Sequence, residues 1–460
     1  MRKLVLIVID GLTPALLERG LESGLAPTIS HFAAAGQLGR AVSVFPSLTP
    51  VCLATIATGA HPGIHEIPHL VWFDRKERRV IEYGSSFAAA RRSGALNWWR
   101  NTVYAMNAKH LGRGAVTIFE ALEDHGFRAA AINATCFRGR TRHFPTLPGV
   151  TPPVLGPSRF FFYGLFESHE TGASPTAVFR RASGSVDDYA EAAGRWLVTR
   201  DDFDFLFYYL SDFDYISHAL GPDSADAALE RADSSIATIV EAAGGIDAFL
   251  DRYDVLLCSD HGQTPVHEGV RLDRALADLS LAGRRAYRGS QVVLTASNRA
   301  AMVYRLEDCP LETAELAERL VRDPSVQVVA YRNGAEAVAL RDGAEFRFAP
   351  TVQSWRKSGE ERVLDQPQAL ERLWSALANP NAGELLISAA PGVEFADLAG
   401  RHHAGGDSHG SLERGDSEVP MLAVGIARLP GSIAEIAPAI LSHFGIAPPH
   451  YPEIFAAAAA

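Results

Sequence analysis

Acidic and imidazole side chains in this 460-residue chain gather at the ends of apolar runs. In open α/β sheets that is where a ligand is held. "LVLIVID" ends in Asp10, "FLFYYLSDFDYISH" carries Asp214 and His218, and "VLLCSDHGQ" carries the adjacent Asp260 and His261. A carboxylate at the tip of a buried strand is costly without a cation, although Asp10 taken singly reads more simply as the N-cap of a following helix. Asp214 and His218 are four residues apart, which puts both on one helical face and lets them share an ion. Asp212 is a rival ligand. Asp260 and His261 precede Gly262 at a strand tip, and a buried Asp–His pair with no further partner is expensive; a ligand role resolves that cost. The glycine-rich "HHAGGDSHGSLERGDSEVPML" can bring a histidine close to a ligand. His409 is the expected one, with His402, His403 and Asp407 as alternatives.

Drawn together, these residues form two groups. Asp214, His218 and His409 would hold one ion, and Asp10, Asp260 and His261 another. Each group offers three protein ligands and leaves a position open, as catalytic zinc requires. Two ions about 4 Å apart can clamp the attacking and leaving oxygens of a phosphoryl transfer. The nucleophile is expected in "FPSLTPVCLATIATGAHPGIHEIP", which runs from Phe45 to Pro68. Thr49 precedes Pro50, a residue suited to the first helical position, and a helix N-terminus favours an anion. A hydroxyl there, in contact with one metal, loses its proton far more readily than a free alcohol. Thr49 is thus the expected nucleophile and itself a metal contact. Ser47 is a rival and Cys52 a weaker one; an ordinary N-cap role is the alternative for Thr49. "RGRTRH", Arg138 to His143, reads as a solvated basic loop.

Bulk composition excludes several classes. The chain carries a net charge of -11 and no long basic tract, which argues against nucleic acid as a bulk partner. An acidic protein that handles a small anionic, phosphorylated substrate needs locally concentrated positive charge, which metal ions supply. Cys52, Cys136, Cys258 and Cys309 lie far apart with no CxxC spacing, so neither a zinc finger nor a disulfide framework is expected. No apolar run is long enough to span a bilayer, and the N-terminal run is too short for a signal peptide. The expected setting is the cytoplasm, with no membrane partner.

The elements that must position these groups follow an alternating order. "LVLIVID" reads as a central parallel strand covered on both faces, with a helix near Thr13 to Ser23. "GRAVSVFPS" reads as a strand and "PVCLATIATG" as a helix ending at Gly59. "AVTIFEALEDHG" and "FRAAAINAT", "SVDDYAEAAGRWLVTR" and "DFDFLFYYLSD", and "DSADAALERADSSIATIVEAAGG" and "YDVLLCSDHG" repeat helix-then-strand. That rhythm predicts an α/β fold with a doubly wound, mostly parallel sheet. Two stretches interrupt it. One spans about residues 68–111; the other spans residues 265–399 and mixes strand runs such as "VQVVAYR" with the helix "LETAELAERLVRD". The expected organisation is a metal-binding core of residues 1–264 and 400–460 with an inserted small α+β cap of residues 265–399. "VPMLAVGIA" returns to a core strand, and the terminal "FAAAAA" is low complexity with no assigned role.

Taken jointly, these segments resemble the alkaline phosphatase superfamily, and most closely its type I phosphodiesterase/nucleotide pyrophosphatase branch. "VIDG" matches that branch's first strand ending, and "TPVCLATIATGAHPGIH" its nucleophile motif at Thr49, Thr58-Gly59, Pro62 and His65. Asp214, His218, Gly221 and Pro222 match its "DxxxH…GP" motif, Ser259 to Gly262 its "SDHG", and His409-Gly410 its closing His-Gly. The resemblance implies two divalent ions, usually zinc, with manganese or iron as alternatives, and a transient phospho-enzyme on Thr49. It also implies that His65 is not a ligand, which with a bland reading of His61 leaves no third metal. Two departures stand out: Cys52 and Leu70 occupy places where the branch often has Asn, and Glu66 stands where Gly follows the motif's His. Leucine cannot donate a hydrogen bond and a thiol is a poor donor, so oxyanion stabilisation is expected from backbone N–H groups or His69. A sulfatase signature is absent, because Thr49 and Val51 stand where Pro and Arg belong after Ser47. The expected activity is cleavage of phosphodiester or pyrophosphate bonds. Phosphonate hydrolysis of the phosphonoacetate type, phosphomonoester hydrolysis and phosphomutation are the enzymatic alternatives, and an inactive metal-dependent phospholigand-binding protein is the non-enzymatic one.

Overall fold

The computed structural model describes residues 2–168, 185–221 and 224–452. Its main sheet has eight strands: β1 (Lys3–Ile9), β2 (Gln37–Val42), β3 (Ala129–Ile132), β4 (Arg159–Phe162), β5 (Phe166–Glu167), β6 (Phe205–Leu210), β7 (Tyr253–Cys258) and β8 (Glu418–Val424). Their order is β2-β8-β7-β1-β6-β3-β4-β5. β7, β1, β6, β3 and β4 run parallel, while β8, β2 and β5 pair antiparallel at the margins. The doubly wound, mostly parallel α/β sheet expected from the helix–strand rhythm is the fold observed.

Side-chain alternation along β1 shows why the run is uniformly apolar. Leu4, Leu6 and Val8 enter the core on one face, and Val5, Ile7 and Ile9 enter the core on the other. A strand covered on both faces has no solvent side for polar residues. On the second face lie the helices Pro14–Ser23 (α1), Val186–Arg200 and Ala225–Ala242; on the first lie Thr49–Thr58 (α2), Ile118–Asp124 and Ile436–His443. Thr13 caps α1, its hydroxyl accepting from Leu16 N at 3.3 Å. The strand expected over Gly39 to Ser47 ends earlier, at Val42. Beyond it the backbone turns inward: Ser43 Oγ donates to Asp260 O at 2.6 Å.

Residues 265–399 build a seven-stranded sheet whose neighbours are all antiparallel. One face carries the helix Thr313–Leu320 and a local core including Leu316 and Leu320. The opposite face, with Met302, Tyr304 and Leu386, merges into the same apolar cluster as Leu6 and Phe207 of the main sheet. The other interruption, residues 68–111, contains the hairpin Val71–Asp74 and Arg79–Glu82, two short helices, and a π-helix over Asn101–His110. The alanine tail lies outside the described residues. No helix among the described residues is long and apolar enough to cross a membrane.

Leu6 is fully buried in the cluster shared by the two sheets. Leu6→Ala is expected to lower unfolding free energy by about 2–5 kcal/mol, read from the urea-unfolding midpoint.

Candidate active site

Three parallel strands deliver the acidic groups to one edge. Asp10 follows β1, Asp260 follows β7, and Asp214 lies in the first turn of the helix Asp212–Leu220 (α3), which begins after β6 with Ser211 between them. Gly11 makes the turn after Asp10 with φ +73°, and a Cβ there would lie 2.2 Å from Gln263 Nε2 and 2.9 Å from Asp214 Oδ1. Only glycine tolerates both the backbone angle and the crowding.

The two groups drawn from sequence are brought together. Asp214, His218 and His409 form one cluster, and Asp10, Asp260 and His261 the other, each with its ligand atoms within 4.8 Å of one another. His218 Nε2 is 3.4 Å from Asp214 Oδ2, and His409 Nε2 is 3.8 Å from Asp214 Oδ1. His261 Nε2 is 3.2 Å from Asp10 Oδ1 and 3.5 Å from Asp260 Oδ2. The rings of His261 and His409 stack at 3.5 Å, which joins the clusters. Thr49 Oγ1 sits 3.2 Å from His261 Nε2. Thr49 opens α2, with Leu48 at the cap position and no side-chain capping bond. The ordinary N-cap reading of Thr49 is therefore set aside, and its hydroxyl faces the site instead.

The donor set fits divalent ions. Each histidine turns Nδ1 to a backbone carbonyl: His218 to Asp407 O at 2.6 Å, His409 to Ser47 O at 2.7 Å, and His261 to Gly262 O at 3.1 Å. Those bonds fix the ring orientation and turn Nε2 toward the clusters, where it could coordinate an ion. Asp10 Oδ1 and Asp260 Oδ2 are buried without a hydrogen-bond partner, a costly state that a cation relieves. Burial lifts the Asp260 carboxyl well above the usual range, with repulsion from Asp10 adding to it. Burial also raises Asp214, the attraction of His218 opposing it. Burial lowers His261, but Asp260 and Asp10 outweigh that and push it up to about 10. His409 is driven well below its ordinary value by burial and by repulsion from His261. The site's own charges thus call for added positive charge.

Several sequence alternatives fall away. Ser47 Oγ donates to Ser411 O at 3.2 Å. Cys52 is fully buried against Ser43 Oγ at 3.2 Å, and burial pushes its thiol well up. Asp212 accepts from Val186 N and Asp187 N, both at 3.3 Å, and so caps another helix. Asp407 accepts from Ser217 Oγ at 2.8 Å, and His402 stands against Gly269. His65 Nε2 meets Thr55 Oγ1 at 3.1 Å inside the core, and Arg138 binds Glu120 and the Leu111 and Gly112 carbonyls rather than solvent. His69 is wholly buried and accepts from Val71 N at 3.0 Å through Nδ1; it does not line the cavity over Thr49, whereas Leu70 does. Pro222 lies outside the described residues.

A cavity of about 720 Å³ rises above Thr49 and Asp214. Its walls include Tyr83, Phe87, Trp98, Trp99 and Met106 from residues 68–111, and Phe162 and Tyr163 from the end of β4. Residues 265–399 supply one lining side chain, Asn298. Asn298 was not legible as a site residue; the only local signal is a turn in "TASNRAAM", and the residue indeed adopts φ +55°. Its Nδ2 lies 3.2 Å from His409 Nε2, while Oδ1 accepts from Ser297 Oγ at 2.8 Å. Tyr209, which donates to Asp10 Oδ2, and Gln263, which donates to Asp214 Oδ1, were likewise missed. His403 also lines the cavity, stacked on His218 at 4.1 Å, with Nδ1 2.8 Å from buried Glu394.

A family model for type I phosphodiesterase / nucleotide pyrophosphatase matches residues 4–412, a span that holds every one of these groups. The chain belongs to that family. Family membership supports hydrolysis of phosphodiester or pyrophosphate bonds, and members are generally dependent on divalent metals. No curated protein matches the sequence. Among solved structures, phosphonoacetate hydrolase from Sinorhizobium meliloti in complex with phosphonoformate is similar, with a TM-score of 0.62, 18% identity, and 96% of each chain covered. Murine ectonucleotide pyrophosphatase/phosphodiesterase 5 is similar with a TM-score of 0.61 at 14% identity and 99% of each chain, and its human counterpart with 0.59 at 14% and 99% of each. At those identities the likeness shows the fold.

In this family member the Gly11 turn touches both Asp214 and its partner Gln263. Gly11→Ala is expected to lower bound divalent metal well below the wild-type stoichiometry while the far-ultraviolet spectrum is kept, as measured by elemental analysis and circular dichroism.

Proposed function

We propose that the protein is a di-metal phosphodiesterase whose nucleophile is Thr49. The observation that carries this reading is the position of Thr49 Oγ1, 3.2 Å from His261 Nε2, at a helix N-terminus under the cavity and beside both ligand clusters. Asp214, His218 and His409 would hold one ion; Asp10, Asp260, His261 and Thr49 would hold the other. When bound, the ions lower the pKa of the threonine hydroxyl and offset charge on the phosphoryl oxygens. Zinc fits the mixed nitrogen and oxygen donors, with manganese or iron as alternatives.

The chain's own groups then act in order. Thr49 Oγ attacks phosphorus in line, its proton passing to solvent, and the bond to the leaving oxygen breaks. Water attacks the phospho-threonine, the P–Oγ bond breaks, and Thr49 regains a proton. The N-terminus of α2 favours the anionic phosphoryl group. Asn298, beside His409 and on the cavity wall, supplies the carboxamide donor that Cys52 and Leu70 do not.

Cavity chemistry favours a diester over a carboxylated phosphonate. The described lining residues include no Lys or Arg, and large aromatic side chains dominate the wall. A buried ligand carboxylate would lack a cationic partner apart from the histidines, whereas an uncharged aromatic or apolar ester group finds a matching surface. The setting of residues 265–399 as an insert within a core of residues 1–264 and 400–460 is part of this proposal. That insert braces the His409 loop: Arg299 N donates to His409 O at 2.8 Å, and buried Arg299 pairs with Asp416 at 2.8 Å.

Purified protein is expected to hydrolyse bis-p-nitrophenyl phosphate faster than p-nitrophenyl phosphate or phosphonoacetate, and to lose activity with a chelator. Thr49→Ala is expected to abolish turnover with the fold intact; activity that survives it, or that ignores chelation, overturns the reading. A faster phosphonoacetate rate transfers the proposal to phosphonate hydrolysis. Binding of metal and phosphate without any turnover identifies an inactive binder. Asn298→Gly keeps the left-handed backbone and removes the carboxamide. It is expected to lower kcat by about a hundredfold with metal content unchanged, measured by steady-state kinetics and elemental analysis.

A further inference from the structure

A second concavity, of about 170 Å³, lies between residues 77–110 and the Arg284-Arg285 segment, and shares no lining residue with the Thr49 cavity. Arg79, Arg100, Lys109, Arg284 and Arg285 border it, against Glu77 as the single carboxylate among the described residues. Arg79 pairs with Glu77. Arg100, Lys109, Arg284 and Arg285 pair with no carboxylate among the described residues. Such a concentration of cations is notable in a chain of net charge -11.

The backbone holds two of these cations against each other. Arg79 and Arg285 face one another in an isolated antiparallel bridge, and Val80 N donates to Arg284 O at 3.0 Å. Like charges directly opposite on paired strands are destabilising; an oxyanion between them offsets the repulsion and engages the planar guanidinium forks. Neutral donors complete the wall. Asn101 is 3% exposed, and its carboxamide makes no hydrogen bond among the described residues. His110, also buried, has Nδ1 2.7 Å from the Tyr83 hydroxyl. With that hydroxyl donating to Nδ1, the neutral ring keeps an N–H at Nε2.

We propose that this pocket binds a phosphate-bearing anion at a site separate from Thr49. The two sites touch the same structural elements. Asn101, Ala105 and Lys109 of the π-helix line the anion pocket, whereas Thr102, Val103 and Met106 line the Thr49 cavity. Tyr83, the partner of His110, also lines that cavity. Extended π-helical stretches are rare and concentrate at functional sites. The pocket stands on its own residues and does not depend on the hydrolase reading.

The test is isothermal titration of the full-length protein with inorganic phosphate at fixed ionic strength, repeated with glycerol phosphate to separate a free ion from a phosphomonoester. Wild type and Thr49→Ala are both expected to bind phosphate at this pocket. The double variant Arg284→Ala/Arg285→Ala is expected to lose at least about tenfold in affinity there, because it removes two charge-assisted donors, while hydrolysis of bis-p-nitrophenyl phosphate in phosphate-free buffer stays at the wild-type rate. A wild-type isotherm in the double variant, or loss of all phosphate binding in Thr49→Ala, overturns the proposal. So does binding of nucleic acid without binding of free phosphate. A crystal soaked in phosphate gives an independent reading: density among Arg100, Arg284 and Asn101 supports the site, and density at Thr49 alone refutes it.

Discussion

Three buried or half-buried carboxylates, Asp10, Asp214 and Asp260, face one small volume at the end of a parallel sheet. Packed protein cannot leave such groups charged and uncompensated. The surroundings answer in two ways. Tyr209, Gln263 and the Gly11 amide donate to them, yet two carboxylate oxygens remain without a donor. The residual demand for positive charge is the constraint around which the rest of the site is arranged. It accounts for histidines whose Nδ1 atoms are tied back to backbone carbonyls and whose Nε2 atoms face inward.

Precision comes from the sheet. Parallel strands end together, so the residues after β1, β6 and β7 reach one edge although they lie far apart in the chain. The strand registers are secured by apolar packing on both faces. The loop that carries His409 is secured differently, by the buried Arg299–Asp416 pair and by Ser411, whose N and Oγ donate to Asp416 Oδ2 at 2.9 and 2.6 Å. A buried ion pair is weak evidence for stability; its service here is to define where His409 stands.

The interruptions divide the labour in a way opposite to the simplest expectation. Residues 265–399, read as a cap, pack one face of their sheet into the main core and send one side chain, Asn298, to the cavity. Residues 68–111 supply Tyr83, Phe87, Trp98 and Trp99 to the aromatic wall, as many as the strand ends and the helix Asp212–Leu220 supply with Phe162, Tyr163, Tyr209 and Tyr215. The shorter interruption thus contributes many side chains to the cavity wall, and the longer one braces the loop that carries His409.

From the sequence by itself came the α/β rhythm, the strand ends that carry Asp10, Asp214 and Asp260, and the grouping of His218, His261 and His409 with them. These were legible because a doubly covered strand must be apolar throughout, so a polar residue at its tip is conspicuous. Tertiary structure alone decided that Thr49 faces His261, that Asp212 caps a helix, that Ser47 and Cys52 turn away, and that Asn298 and His403 reach the cavity. It alone also brought Arg79 opposite Arg285. Those outcomes depend on contacts between residues dozens to hundreds of positions apart, and local periodicity carries no record of which distant surface a loop side chain will meet.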